Sequence, residues 1–121
     1  MELELDRRAP AVYKECVTST NTLLKGLAAS GVPDGFTIVA AKQTSGRGRL
    51  GRSFVSPEGG LYLSMLLYPG CGMQRASTLT PCAAVAVCRA VERVCGVTPG
   101  IKWPNDLLLA GRKLCGILTE A

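Results

Sequence analysis

The chain contains no histidine. That removes the commonest general base of enzymes and the commonest nitrogen ligand of zinc, so any chemistry must run without imidazole. Six cysteines are present, but Cys16, Cys71, Cys82, Cys88, Cys95 and Cys115 show no C-x-x-C spacing. No side-chain metal site is therefore expected. Aromatic residues make up only 5% of the chain, too few near the basic residues to stack bases along a nucleic acid. No apolar run approaches the roughly 18 residues of a membrane span. The acidic start Met1-Glu2-Leu3-Glu4 is unlike a secretory signal. The residues before about Val17, mixed in character, read as a lead-in strand or irregular segment and are too short for a helix-turn-helix. These absences together suggest a cytoplasmic protein with reduced, mostly buried thiols and with neither DNA nor membrane as partner.

What is present is a sizeable apolar fraction, 47% of 121 residues, enough for a real core in one domain or in part of a larger one. The net charge of +5 is modest, and it is concentrated in Gly46-Arg47-Gly48-Arg49-Leu50-Gly51-Arg52, with Lys42 just upstream and no acid between. Glycine lets a ligand approach the main chain, and arginine supplies planar donors suited to carboxylate or phosphate. An anion site and a solvated basic hairpin turn are both compatible with this stretch. Gly46, Gly48 and Gly51 also satisfy G-x-G-x-x-G, but that fingerprint must open a helix and be followed by an acid about 20 residues on. Ser56-Pro57-Glu58-Gly59-Gly60 and then a strand-like run follow instead, which excludes a Rossmann site.

In chain order, Ser19-Thr20-Asn21 precedes Leu23, Leu24, Leu27 and Ala28, a helical stripe closed by Gly31 and Pro33. The three polar residues are either an N-cap or a polar cluster facing a ligand at a helix N-terminus. Phe36 to Ala41 reads as a strand. Leu61 to Tyr68 reads as a second, central one, with Leu61, Leu63, Met65 and Leu67 on one face and Tyr62, Ser64 and Tyr68 on the other, one face on a helix layer and the other lining a pocket. Thr80-Pro81 starts a helix with Ala84, Val87, Cys88, Val91 and Cys95 on its apolar face and Arg89, Glu92 and Arg93 in solvent; Gly96 ends it. Gly100 to Trp103 is a strand, Pro104-Asn105-Asp106 a turn, and Asp106 to Ala110 with Arg112 to Glu120 a hairpin about Gly111. Lys113, Cys115 and Ile117 are expected on one face of its second strand. Local pattern alone slightly favours an exposed Lys113, with Gly116 leaving room for close backbone approach.

Taken together, GRGRLGR (46–52), KWPND (102–106) and RKLCGIL (112–118) resemble the biotin–protein ligases, in order and at similar intervals, from about Thr18 to the end. The resemblance implies an α+β fold, a mixed β-sheet flanked by helices like that of lipoate ligases and class II synthetases. It also implies ATP-dependent attachment of biotin to a lysine of a biotin carboxyl carrier protein, or of a carrier domain of a biotin-dependent carboxylase, through biotinyl-5′-AMP. By that likeness Ser19, Thr20, Asn21, Gln43, Gly46, Arg47, Gly48, Arg49, Lys113 and Gly116 would contact biotin. Arg47, Arg49, Arg52 and Lys113 would meet the nucleotide, and Lys113 and Arg49 would be catalytic, with Mg²⁺ arriving on ATP. Adenylation needs alignment and charge neutralisation rather than a base, which suits a chain without histidine. The family pattern leaves room for a homodimer. It also continues past Ala121 into further strands, adenine contacts and a small C-terminal β-domain. Residues 1–121 are thus expected to be the N-terminal portion of a catalytic domain, inactive alone and prone to self-association through the strand at 112–120. The alternatives are a lipoate or octanoyl ligase or transferase of the same fold, and a non-enzymatic basic nucleic-acid-binding module.

Overall fold

The β-branched run Thr37-Ile38-Val39-Ala40 is buried along its whole length, the signature of a strand covered on both faces. It opens the central strand of the first of two compact units, Met1–Tyr68 and Pro69–Ala121, into which the chain divides. A computed structural model describes residues 2–4, 10–70 and 72–121. In the first unit four strands lie in sequence order: β1 (Glu2–Glu4), β2 (Pro10–Val17), β3 (Thr37–Gln43) and β4 (Tyr62–Met65). The sheet is mixed, because β2 and β3 run parallel while β1/β2 and β3/β4 are antiparallel.

A parallel pair needs a crossover, and α1 (Thr20–Ala28) supplies it. Ser19 is the N-cap, extended at φ −159, and its hydroxyl accepts from Thr22 N–H at 3.3 Å. Leu24 is buried against the sheet, with Leu23, Leu27 and Ala28 half-buried beside it. Full burial of one such leucine stabilises by about 1.5–3 kcal/mol. The helix packs on β3 and β4.

The two faces of β4 divide as expected, and it is the Ser64 face that meets the helix. Ser64 is buried beneath α1, whereas Leu61, Leu63, Met65 and Leu67 are 73, 50, 53 and 46% exposed. β4 is the last strand in its sheet's order rather than a central one. The side chain that the helix end holds by hydrogen bonds decides which face turns inward. Alternation fixed the two sets of residues but not which set meets the helix.

In the second unit, α2 (Met73–Ala76) is a single turn that no sequence signal announced. The longer α3 (Leu79–Cys95) starts at Leu79, just before the expected Thr80-Pro81, and ends on Gly96, which takes the left-handed φ of +70. Ala84 is fully buried and Val87, Cys88 and Val91 are half-buried, while Arg89, Glu92 and Arg93 are exposed as expected.

Strands β5 (Gly100–Lys102), β6 (Asp106–Leu109) and β7 (Arg112–Gly116) form a separate antiparallel sheet. The β6/β7 hairpin turns on Ala110 and Gly111, both at positive φ (+52 and +75). Its register shifts so that Leu108 faces Lys113 and Leu107 faces Cys115. Leu114 is thus an extra residue on β7, a bulge that breaks the single face expected for Lys113, Cys115 and Ile117. β7 itself ends at Gly116, short of the expected Glu120.

The thiols depart from expectation as well. The five described cysteines are free, but Cys16, Cys82 and Cys95 are exposed and only Cys88 and Cys115 are half-buried; Cys71 lies outside the described residues. Cys82 and Cys95 stand in the first and last turns of α3, and Cys16 lies on β2 beyond the residues that pair with β1.

Candidate functional site

Three pieces of the first unit meet at the start of α1. The first is the helix N-terminus itself, whose backbone N–H groups carry partial positive charge, those of Thr20 and Thr22 donating to Gln43 Oε1 and Ser19 Oγ. The second is Gln43, the last residue of β3. Its Oε1 accepts from Thr20 N–H at 2.8 Å and lies 3.2 Å from the Thr20 hydroxyl. The third is the arginine–glycine stretch, which folds as a hairpin. Gln43 and Ser56 pair at its base, Arg47 and Ser53 pair further out, and Gly48 N–H reaches Arg52 O at 2.7 Å across the tip. The tip is a short 3-10 turn, Arg49–Gly51, with Leu50 at φ +58 and Gly51 at φ +72. The basic-turn geometry is therefore real, and it stands beside polar groups that suit an anion.

Gly46 is buried between the two sides of this hairpin. A Cβ at that position would fall inside contact distance of Phe54 O, Ser56 Oγ and Gln43 Nε2. Gly48 meets no such obstacle, since its imagined Cβ has only ordinary contacts with Arg52. The outgoing side is braced by Tyr62, whose hydroxyl donates to Pro57 O at 2.7 Å and whose ring meets Phe54 edge-on at 6.4 Å. Arg47 bridges hairpin and helix, donating from Nη1 to Thr22 Oγ1 at 2.6 Å. Between them lies a cavity of about 510 Å³, lined by Thr18, Ser19, Thr22, Ser45, Arg47 and Arg52 among others. The ion pair from Lys42 to Glu58, at 3.8 Å, is exposed and contributes little to stability.

Ser19, Thr20, Asn21, Gln43, Gly46 and Arg47 are thus brought together, with Gly48, Arg49 and Arg52 on the hairpin above. Lys113 and Gly116 belong to the second unit, on β7. There Lys113 Nζ stands 3.3 Å from Asp106 Oδ1 across the bulged pair. That oxygen is buried and otherwise lacks a hydrogen-bond partner. The ion pair is thus its principal compensation. Burial, with the Asp106 carboxylate adding to it, pushes the Cys115 thiol above its ordinary pKa, and Lys113 opposes the rise.

Sequence reasoning missed three members of these clusters, Thr22, Ser56 and Asp106, and placed Ser64 on a strand face without giving it a role. Ser64 carried a signal, a lone small hydroxyl in an otherwise large-residue strand. Asp106 was assigned to a turn, and only the register of β6 shows it opposite Gly116 and within reach of Lys113.

A mixed sheet with a capped crossover helix, a carboxamide bonded to the helix start and an arginine hairpin packed beside it defines an α+β protein. Residues 13–121 match the Biotin/lipoate A/B protein ligase family, and the chain belongs to it. It is 44% identical over 110 residues to the bifunctional ligase/repressor BirA of Bacillus subtilis, a match covering 90% of this chain and 34% of that protein. It is 40% identical over 95 residues to the biotin–[acetyl-CoA-carboxylase] ligase of Paracoccus denitrificans, covering 77% and 40%. The biotin protein ligase of Leishmania major in complex with biotinyl-5-AMP superposes with a TM-score of 0.81 at 30% identity, over 92% of this chain and 51% of that one. The Aquifex aeolicus enzyme in complex with biotin and ATP gives 0.75 at 34%, over 92% and 46%. The chain therefore spans about a third of the length of these BirA relatives and about half of the solved structures.

Proposed function

We propose that this chain carries the biotin-recognising part of an ATP-dependent biotin–protein ligase. The observation that carries the reading is the convergence of Gln43 and Arg47 on the α1 N-terminus, Gln43 Oε1 on Thr20 N–H at 2.8 Å and Arg47 Nη1 on Thr22 Oγ1 at 2.6 Å, beside a cavity of about 510 Å³ that Ser19, Thr22 and Arg47 help to line. Its supports are the family membership and the biotin, ATP and biotinyl-5-AMP named in the related structures.

In this reading Ser19, Thr20, Asn21 and Gln43 present hydroxyl and amide groups to the ureido ring of biotin. Gly46, Arg47 and Gly48 close the main chain over it, and Gly116 leaves room on β7. The biotin carboxylate oxygen attacks the α-phosphorus of ATP and pyrophosphate leaves. Arg47, Arg49, Arg52 and Lys113 supply fixed positive charge to the phosphate oxygens, Lys113 and Arg49 most directly. Such preorganised charge is where most of the stabilisation of this kind of transition state arises. The amine of a carrier-protein lysine then attacks the acyl carbon and AMP departs with the bonding electrons. Mg²⁺ belongs to the same proposal, as the counter-ion that ATP brings with it. The acceptor is a biotin carboxyl carrier protein or domain, and a homodimer and a cytoplasmic location belong to the same proposal. No described helix is long and apolar enough to cross a membrane.

The test is calorimetric titration of the chain with biotin and, separately, with lipoate and octanoate. Saturable biotin binding that the other two acids do not match is the expected result. Preference for lipoate or octanoate would overturn the biotin assignment in favour of a transferase of the same fold.

A further inference from the structure

Gln43 is held from both ends. Thr20 N–H can only donate, so the carboxamide oxygen must face the helix and Nε2 must face the other way. There Nε2 donates to Ser56 Oγ at 3.0 Å, and Ser56 in turn donates to Phe54 O at 2.7 Å. On the helix side, Ser64 Oγ lies 2.7 Å from Thr20 Oγ1 and also meets Asn21 Oδ1. Ser64 has one hydrogen to give. If it goes to Thr20, the Thr20 hydroxyl is left to donate to Gln43 Oε1, and every member from Ser64 to Phe54 O has a consistent direction. Ser56 and Ser64 are both buried, at 5% and 6% exposure. A buried hydroxyl is costly unless bonded, so the chain sets the geometry of everything it touches. It also leaves the second Nε2 hydrogen of Gln43 with no partner among the described residues.

We propose that Ser56 and Ser64 are positioning residues for the biotin site, locking the Gln43 and Asn21 carboxamides in one orientation each. Neither serine needs to touch ligand. Ser56 acts through Gln43 Nε2, and Ser64 acts through Thr20 and Asn21. The inference rests on the biotin reading above, and its tests separate the two.

The first arm needs no ligand. In ¹⁵N spectra of the whole chain the Gln43 side-chain amide pair should be well dispersed and slow to exchange. Ser56→Ala should collapse it toward free-amide shifts, while Ser56→Thr, which keeps a hydroxyl, should restore most of the dispersion. The second arm measures biotin affinity in a double-mutant cycle. Ser56→Ala should weaken binding roughly tenfold, the size of one lost hydrogen-bond partner in a buried site. In a Gln43→Ala background the same change should have little further effect, because the group it positions is gone. Ser64→Ala should couple in the same way to Asn21→Ala. Equal losses in both backgrounds, or an undisturbed Gln43 amide in Ser56→Ala, would overturn the proposal. A wild-type chain that ignores biotin would overturn the ligase reading, and the amide spectra would still decide the positioning roles.

Discussion

At the scale of single residues, two glycines of one motif have different reasons to be glycine. Gly46 has no room for a side chain because Phe54 O, Ser56 Oγ and Gln43 Nε2 crowd it. Gly48 has room and a φ of −108 that any residue adopts. Gly46→Ala should therefore destabilise the unliganded chain by about 1–3 kcal/mol, as overpacking does, with denaturant unfolding as the measure. Gly48→Ala should leave stability within about 0.5 kcal/mol and weaken biotin binding instead, as it would where a ligand approaches the main chain. Equal stability losses at both positions would contradict the distinction. Cys115 offers a test in pH. Its folded pKa is raised by burial, so the unfolded thiol ionises first, near its reference value of about 8.5. The stability it contributes is complete below that pH and is lost as pH climbs through the raised folded value. Cys115→Ala should flatten the alkaline fall in stability. In wild type at pH 8, alkylation of Cys115 should lag that of exposed Cys16, Cys82 and Cys95.

At the scale of elements, the helices and strands whose signals are local were legible in sequence. α1, β3, the body of α3 and the β6/β7 hairpin follow from caps, periodicity and turn residues that act within a few positions of themselves. The hairpin turn holds alanine where glycine or asparagine is preferred, at φ +52. Ala110→Gly should stabilise the chain by about 1 kcal/mol by removing left-handed strain, visible as a higher urea midpoint at an unchanged slope. The bulge at Leu114 was not legible, and it alters which side chains meet. Lys113→Met should cost about 1 kcal/mol, because Lys113 is half-exposed and solvent screens the pair. Adding Asp106→Asn should recover most of that loss, since the buried oxygen no longer carries charge. If the double variant is as unstable as the single, the pair is incidental to the hairpin.

At the scale of the whole molecule, a ligand that binds only the folded chain must raise its stability by mass action, about 2.7 kcal/mol at a hundred times Kd. Biotin should raise the melting temperature of the first unit's signals, read from residues such as Ile38 and Leu24, and lipoate should not. The sequence by itself determined the family, through three motifs in fixed order, together with the local elements that carry them and the chemical types gathered at the start of α1. Covalent spacing and side-chain chemistry suffice for that, because each signal is complete within a few residues. Only the tertiary structure decided that Ser64 turns inward onto Thr20 and Asn21 while the leucines of its strand turn out. It likewise decided that Arg47 reaches Thr22, that Ser56 orients Gln43, and that Lys113 stands against Asp106. Those pairings depend on sheet order and register. A shift of one residue exchanges the faces of a strand, and the free energy that selects one register is summed over partners far apart in the chain.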